Sequence, residues 1–234
     1  MEQIIAYADD LIQARECQYF ITANLNYVML SQERKKLKTV NRDAAAIIAD
    51  GYPIVVRSRM MSEPLPERVA GSDMILELAA LSEKRGYRIF MLGAAPGVAA
   101  KAADKLRDLY PKLQIAGVSA PPFRDLSDEE HENLLAEIRA TKPDILLVAF
   151  GQPKGELWIH RNFRALQVPL SIQLGASFDF LAGTAKRAPA FWQRIGCEWL
   201  YRTCCEPKRL GPRYAKNISF LVRQTITDIV ALLR

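Results

Sequence analysis

The sequence predicts an α/β fold, in which a parallel β-sheet carries helices on both faces, followed by a basic helical appendage at the C-terminus. Short apolar runs alternate with stretches of helical length through residues 1–185, which is typical of parallel sheets. The run Asp144–Phe150 is apolar after its first residue, as expected for a strand covered on both faces. We therefore expect one α/β domain over residues 1–185 and a separate segment over residues 186–234.

The elements of the α/β domain follow from their apolar patterns in chain order. Strands are predicted at Tyr19–Leu25, Tyr87–Leu92, about Leu113–Val118, Asp144–Phe150 and Leu170–Leu174. Helices are predicted at Ser72–Arg85, Pro96–Tyr110, Ser127–Thr141 and Lys154–Leu166. The third helix opens with S-D-E-E, the pattern of a capping box between Ser127 and Glu130.

The composition changes after Gly183, where Arg, Trp and Pro become frequent. Three prolines (Pro189, Pro207 and Pro212) are candidate breaks in helical structure. The stretch Tyr214–Leu233 then places apolar residues near helical spacing, in a stripe flanked by Lys216 and Arg223. Two interpretations stay open: a terminal helix packed on the domain, or an amphipathic helix at a membrane surface or a subunit interface.

The net charge of +6 is concentrated at the C-terminal end. From Lys186 onward there are ten Lys or Arg residues and three Asp or Glu residues, whereas residues 1–185 are nearly neutral. Such a patch attracts nucleic acid, anionic lipid or phosphorylated ligands, and charge alone does not choose among them. No apolar run approaches the roughly 20 residues that span a bilayer, and the acidic N-terminus is unlike a signal peptide. We therefore expect a cytoplasmic protein, with its four cysteines reduced.

Ligands of open parallel sheets bind outside the carboxyl ends of the strands. Five motifs follow the strands or other apolar runs: Thr22-Ala-Asn24, Ala49-Asp50-Gly51, Gly93–Gly97, Gly151–Lys154 and Gly175–Asp179. The segment Gly93–Gly97 directly precedes a helix, so its backbone N–H groups could bind a phosphate, although a generic tight turn has the same pattern. Asp50 could act as a general base or could simply form a turn with Gly51.

The sequence offers no familiar metal or nucleophile motif. It has only two histidines and lacks a Walker A sequence, an H-x-x-x-H spacing, a G-x-S-x-G elbow and an obvious D-x-D pair. A cluster of basic residues could instead bind an anion without a metal, or could form a solvated basic face; its members are Arg187, Arg202, Lys208, Arg209 and Arg213.

Seven segments, in this order, resemble the bacterial WecG/TagA/CpsF glycosyltransferase family, and the resemblance runs from about Phe20 to Tyr214. The segments are TANLNYV (22–28), ADG (49–51), PLPERVAGSD (64–73), IFMLGAAPGVAAKAA (89–103), PDILLVAFGQPKGELWI (143–159), LGASFDFLAGTAKRAP (174–189) and GCEWLYRTCCEPKRLGPRY (196–214).

The resemblance implies a Rossmann-like fold and a metal-independent, inverting transfer of a sugar from a UDP-sugar. The sugar would be N-acetylmannosamine, its uronic acid, glucose or a relative, and the acceptor an undecaprenyl-pyrophosphate-linked saccharide in cell-surface polysaccharide synthesis. No cofactor or metal is implied beyond the donor. The basic tail would attach the enzyme peripherally to the anionic inner face of the cytoplasmic membrane. A homo-oligomer is left open, and no nucleic-acid partner is expected.

The resemblance also assigns roles to residues. Asp50 would be the general base, with Thr22 and Asn24 beside the acceptor or the sugar. Backbone N–H groups and arginines would stabilise the diphosphate leaving group. The residues expected to bind substrate are Gly51, Gly93, Gly97, Gly151, Gln152, Pro153, Lys154, Glu156, Gly175, Phe178, Asp179, Arg187, Arg202, Arg209 and Arg213.

Two positions depart from the family pattern. The family usually reads G-x-P-K-Q-E where this chain has GQPKGE, so Gly155 replaces a glutamine, and Pro212 replaces a basic residue. Gln152 or water could compensate for the first change, or the substrate preference could differ. Two other functions stay open: a nucleotide-dependent oxidoreductase or epimerase that uses LGAAPG as its cofactor loop, and a non-catalytic adaptor at a membrane surface or on nucleic acid.

Overall fold

A computed structural model describes residues 1–232 and confirms the α/β fold with a parallel sheet. The strands are β1 (Gln18–Ala23), β2 (Ala46–Ala49), β3 (Arg88–Gly93), β4 (Gln114–Ser119), β5 (Ile145–Ala149) and β6 (Leu170–Gln173). They form one sheet in the order β2-β1-β6-β5-β3-β4. The pairs β1–β6, β6–β5, β5–β3 and β3–β4 are all parallel.

The helices lie between and after the strands. They are α1 (Glu2–Ala14), α2 (Leu25–Glu33), α3 (Lys35–Asp43), α4 (Tyr52–Ser58), α5 (Gly71–Arg85), α6 (Val98–Leu109), α7 (Asp128–Ala140), α8 (Lys154–Leu166), α9 (Ser177–Leu181), α10 (Ala190–Arg194), α11 (Glu198–Cys205) and α12 (Pro207–Leu232). All five predicted strands and all four predicted helices of the α/β domain are present, with ends that differ by about one or two residues. The capping box between Ser127 and Glu130 is also confirmed.

Alternate residues of the strands build the two sides of the core. Ile89, Met91 and Leu147 point into one apolar cluster, which helices α1, α5, α6 and α9 cover. Phe90 and Leu146, which alternate with them, are also completely buried. Because both faces of the central strands are covered, their sequences are apolar throughout rather than alternating.

The chain divides into two compact units. Unit 1 comprises residues 1–22, 39–48 and 69–185, and unit 2 comprises residues 23–38, 49–68 and 186–234. Residues 186–234 lie in unit 2 together with two earlier segments, and the predicted domain boundary after residue 185 stays a prediction. Unit 1 contains most of the sheet, and unit 2 contains the basic tail.

Pro212 does not break the terminal helix, which is a correction to the sequence-based expectation. Helix α12 begins at Pro207 and continues through Pro212. Pro189 caps α10, and Pro207 is the first residue of α12, so both of these prolines do mark boundaries. Proline is tolerated in the first turn of a helix, whereas Pro212 lies in the second turn and cannot donate a hydrogen bond to the carbonyl of Lys208. Of the predicted helical stretch, Leu233 lies outside the described residues.

Helix α12 packs within unit 2 against α2 and α11. The Gln224 side chain donates a hydrogen bond to Gln32, and Arg57 forms an ion pair with Asp228 at 2.5 Å. A row of apolar side chains spaced four residues apart is exposed on α12, namely Ile218, Val222, Ile226 and Val230. We call this row the apolar stripe. Over residues 1–232, no helix has the length and apolar character needed to cross a membrane.

Candidate active site

The chain connections that follow β3 and β5 run to opposite sides of the sheet, so the carboxyl ends of these two strands form a switch point. The two strands are neighbours, but β3 leads to β4 on one side and β5 leads to β6 on the other. In open α/β sheets, ligands bind at such a switch point. The loops that leave it are the predicted motifs Gly93–Gly97 and Gly151–Lys154, so unit 1 places both at the expected edge.

Each of these loops leads into a helix that is long enough to bind an anion at its N-terminus. Gly97 is the N-cap of α6, which has 12 residues, and Pro153 is the N-cap of α8, which has 13. The first N–H groups of a helix point outward and carry partial positive charge. Lys154 adds a side chain that is about half exposed and lies 4.0 Å from the carboxylate of Asp125. This geometry suits an anion, and the binding of a phosphate by these loops stays a prediction.

Gly93 is required by close packing at the end of β3. Its φ of +102° is rarely adopted by residues with a side chain. A Cβ atom added there would lie 2.8 Å from the Phe150 ring and 3.0 Å from the backbone of Ala149. The adjacent Ala94 N–H donates to the carbonyl of Ala149 at 3.0 Å. The loop thus stays tightly bound to β5.

A hydrogen-bond network joins the ends of β1, β5 and β6 in unit 1. The hydroxyl of Thr22, which is buried, donates to the carbonyl of Gln173 at 2.6 Å. The side-chain amide of Gln152 donates to the carbonyl of Thr22 at 3.1 Å. The peptide bond between Gln152 and Pro153 is cis. Two predicted site residues, Thr22 and Gln152, are therefore in direct contact.

Asp179, Phe178 and Glu156 have different surroundings in unit 1. The backbone carbonyl and the carboxylate of Asp179 both accept hydrogen bonds from Thr184, which closes the turn after α9. Phe178 is completely buried in the apolar core, so its side chain packs against the core rather than facing solvent. Glu156 lies in the first turn of α8 with only 1% of its surface exposed.

Asp50 is fixed by its backbone in unit 2. Its N–H donates to the carbonyl of Ala23 at 2.8 Å, and its own carbonyl accepts from Nε of Arg68 at 2.7 Å. The side-chain carboxylate is 27% exposed, and its Oδ1 lies 3.7 Å from an Arg68 nitrogen. A general base must reach the proton that it removes, and the assignment of this role to Asp50 stays a prediction.

Arg68 connects Asp50 to the C-terminal segment. Its Nη2 forms an ion pair with Glu198 at 2.9 Å, and the two side chains are 20% and 13% exposed. Arg68 therefore links Asp50 to helix α11, which contains Glu198.

Asn24 and Gly51 lie next to each other in unit 2. A Cβ atom added at Gly51 would come within 3.2 Å of Asn24 Cα. The side-chain oxygen of Asn24 accepts a hydrogen bond from Tyr27 N–H and thereby caps α2. The Asn24 oxygen thus has a structural partner, and its expected contact with substrate stays a prediction.

The arginines of the tail lie on consecutive helices of unit 2. Arg202 is in α11, and Arg209 and Arg213 are in the first two turns of α12, while Arg187 precedes α10. Arg209 pairs with Glu206 at 2.5 Å. The hydrogen bond from Arg209 lowers the pKa of the Glu206 carboxyl below its usual value, and the charge of Arg202 lowers it further. The predicted role of these arginines in binding a diphosphate stays a prediction.

The comparison with known families decides the class of enzyme. The model of the "Glycosyl transferase WecG/TagA/CpsF family" matches residues 1–231. The chain belongs to this family. The resemblance drawn from seven sequence segments is thereby confirmed, and the chain is a glycosyltransferase rather than an oxidoreductase, an epimerase or a non-catalytic adaptor.

Three curated relatives of this glycosyltransferase carry the name N-acetylglucosaminyldiphosphoundecaprenol N-acetyl-β-D-mannosaminyltransferase. The protein of Bacillus spizizenii is 31% identical over 191 residues, which cover 82% of this chain and 72% of the relative. The protein of Bacillus subtilis is 35% identical over 178 residues, covering 74% and 67%. The protein of Staphylococcus aureus is 28% identical over 193 residues, covering 82% and 74%.

Three residues in the surroundings of the predicted site residues were missed from sequence, namely Gln173 in unit 1 and Arg68 and Glu198 in unit 2. Gln173 is a polar residue at the end of a buried strand, and this unusual placement was the available signal. Arg68 and Glu198 lie inside segments that carried the family resemblance, but neither had a spacing or motif that pointed to a role.

Among residues 1–232, no group of three or more His, Cys, Asp or Glu side chains is arranged to hold a metal. A metal-free mechanism stays a prediction.

Proposed function

We propose that the protein transfers N-acetylmannosamine from its UDP-linked form to N-acetylglucosaminyl-diphosphoundecaprenol. The acceptor and the sugar are those in the names of the Bacillus and Staphylococcus relatives. The observation that carries the proposal is the setting of Asp50, whose backbone is held on both sides while its carboxylate stays accessible.

The proposed chemistry is a single displacement with inversion at the anomeric carbon. The acceptor hydroxyl oxygen attacks this carbon, Asp50 takes the hydroxyl proton, and the bond from the carbon to the UDP oxygen breaks. One base and one stabilised leaving group are enough for this step. Arg68 keeps Asp50 in place through the hydrogen bond to its carbonyl.

The leaving UDP carries the charge that the protein must stabilise. The N-termini of α6 and α8 supply N–H groups at the switch point of the sheet. Arg202, Arg209 and Arg213 supply guanidinium groups, which suit the geometry of phosphate oxygens. We infer that these groups stabilise the charge without a divalent metal.

The function is tested by release of UDP from a set of UDP-sugars in the presence of EDTA. The acceptor is a synthetic N-acetylglucosaminyl-diphosphoprenol, and the control omits it. We expect acceptor-dependent release of UDP from UDP-N-acetylmannosamine and a disaccharide product of matching mass. Release that is equal without acceptor, or transfer that EDTA abolishes, would contradict the proposal.

We also propose that unit 2 attaches the enzyme to the anionic inner face of the cytoplasmic membrane. Most of the exposed large apolar side chains of the described chain belong to unit 2, and the apolar stripe runs along α12 beside Lys216 and Arg223. Apolar side chains enter the interface, and each basic residue close to it contributes roughly 1 kcal/mol.

Flotation with vesicles that contain phosphatidylglycerol tests this attachment. We expect Ile218→Ser/Val222→Ser/Ile226→Ser to abolish flotation at any salt concentration. The variant Lys216→Gln/Arg223→Gln should weaken flotation chiefly at low salt, because only the electrostatic part is screened. The polar control Ser219→Ala/Thr227→Ala should float like the wild type. Unchanged flotation of the triple variant would refute attachment through the stripe.

A further inference from the structure

Gly155 leaves a space inside unit 1 that another side chain fills. It lies in the first turn of α8 and is buried. A Cβ atom added at this position would overlap the side-chain amide of Gln173. Without a rearrangement of Gln173, no residue larger than glycine fits at 155. The glutamine that the family resemblance led us to expect at 155 is therefore excluded by the glutamine at 173.

The Gln173 amide lies in a defined, completely buried position at the end of β6. With the amide oriented so that both of its atoms find partners, its nitrogen donates to the carbonyl of Val148 at 2.9 Å and its oxygen accepts from the N–H of Gly151 at 3.1 Å. Its backbone carbonyl accepts the Thr22 hydroxyl. One residue thus joins the ends of three strands to the first residue of the Gly151–Lys154 loop.

We infer that Gln173 is a positioning residue for the Gly151–Lys154 loop, and that Gly155 is present because it admits the Gln173 side chain. The buried amide orients the Gly151 N–H, and with it the turn that leads into α8. A side chain that started from 155 would place its Cβ atom in the space of the Gln173 amide. We therefore infer that the amide can be supplied from either position, but not from both at once.

Position 173 is suited to an amide rather than an apolar side chain. A buried N–H that loses its hydrogen bond is unfavourable, and the same holds for a carbonyl. Val148 O keeps a second bond from Leu174 N–H at 2.9 Å. Loss of the amide therefore affects Gly151 more than Val148, and the consequence falls on the loop.

An exchange experiment on the full chain tests the pairing. The variants are Gly155→Gln, Gln173→Gly and the double exchange Gly155→Gln/Gln173→Gly, and their thermal midpoints are compared with that of the wild type. We expect both single variants to unfold at lower temperature, the first from overlap and the second from a cavity. The double exchange should recover most of the loss. A double variant that shows the sum of both losses would overturn the pairing.

Hydrogen exchange at the Gly151 amide tests the positioning role without any activity. In Gln173→Met the length of the side chain is kept and the amide is lost. We expect this N–H to exchange about tenfold faster, since about 1.4 kcal/mol corresponds to a factor of ten. The control is Gln114→Met at the exposed start of β4, which should leave Gly151 unchanged. Equal exchange in the wild type and Gln173→Met would overturn the role.

The kinetic consequence rests on the proposed function. We expect Gln173→Met to lower kcat/KM for the UDP-sugar about tenfold by the same conversion, and the double exchange to regain transfer. If the wild type itself transfers no sugar, the proposed function fails, and the thermal and exchange measurements still decide the inference. If the wild type transfers sugar and Gln173→Met has the same kcat/KM, the positioning role of Gln173 is wrong while the proposed function stands.

Discussion

Arg68 and Glu198 form an ion pair whose energetic coupling follows from its burial. The atoms Nη2 and Oε2 are 2.9 Å apart, with side chains 20% and 13% exposed. Exposed pairs contribute about 0–1 kcal/mol, and breaking a fully buried pair costs about 3–5 kcal/mol. The burial of this pair lies between these two cases, so we expect a coupling free energy of about 1.5 kcal/mol between the two side chains. Arg68→Met alone should cost about 3 kcal/mol, because the hydrogen bond to the Asp50 carbonyl is also lost.

A double-mutant cycle of Arg68→Met and Glu198→Met measures this coupling. Urea unfolding is followed by tryptophan fluorescence in a Trp158→Phe background, so that the remaining tryptophans, Trp192 and Trp199, report on unit 2. The double variant should lose less stability than the sum of the single variants. A coupling below about 0.5 kcal/mol, the usual limit of additivity, would show that the two side chains contribute independently to stability.

The exposed pair of Arg124 and Glu130 is the matched control for this cycle. Its separation of 2.5 Å is shorter, but the side chains are 57% and 42% exposed. Because water and salt screen an exposed pair, its coupling should be smaller than that of Arg68 and Glu198. A larger coupling in the control would show that distance, rather than burial, determines the energy.

Two further predictions concern the loops and the pH dependence of stability. Gly93→Ala should lower the free energy of unfolding in urea by about 3 kcal/mol, because of the φ of Gly93 and its close contact with Ala149. Gly86→Ala should lower it by only ~1 kcal/mol, because Gly86 has a φ of +77° but open space around it. Equal losses in the two variants would show that backbone strain alone determines the cost. The Arg124 side chain is the main cause that lowers the pKa of the Glu130 carboxyl from 4.5 to about 2. A carboxyl whose pKa is lower in the folded protein than in the unfolded chain stabilises the fold at pH values above its unfolded pKa. The wild type should therefore have a higher thermal midpoint than Glu130→Gln at neutral pH, and this difference should disappear as the pH falls from 4.5 through about 2. A difference in midpoint that does not change with pH would contradict this cause.

The fold was largely predictable because its strong signals are local. The central strands are apolar throughout, and helix α8 has a distinct amphipathic pattern, so both were found with nearly correct ends. Strand β2 was missed because it has only four residues and only one of them is buried. The continuation of α12 through Pro212 was also missed, because the local cost of a proline predicted a break.

The candidate site was predictable only where its residues follow strands. The loops after β3 and β5 could be placed at the sheet edge, since their position depends on topology. Contacts between residues distant in sequence could not be derived. Examples are the ion pair of Arg68 with Glu198 and the overlap of Gln173 with position 155. Both depend on how particular side chains pack, and the spacing of residues in the sequence does not predict such packing.

The role of Asp50 is tested most directly by the transfer rate of Asp50→Asn, measured with UDP-N-acetylmannosamine and the synthetic acceptor in EDTA. Asparagine keeps the shape of the side chain and removes its basicity, and UDP binding is measured in parallel as the control. General-base catalysis contributes roughly 10²–10⁴-fold, so we expect a fall in kcat of that order with UDP binding unchanged. Transfer at the wild-type rate by Asp50→Asn would contradict the assignment of Asp50 as the base.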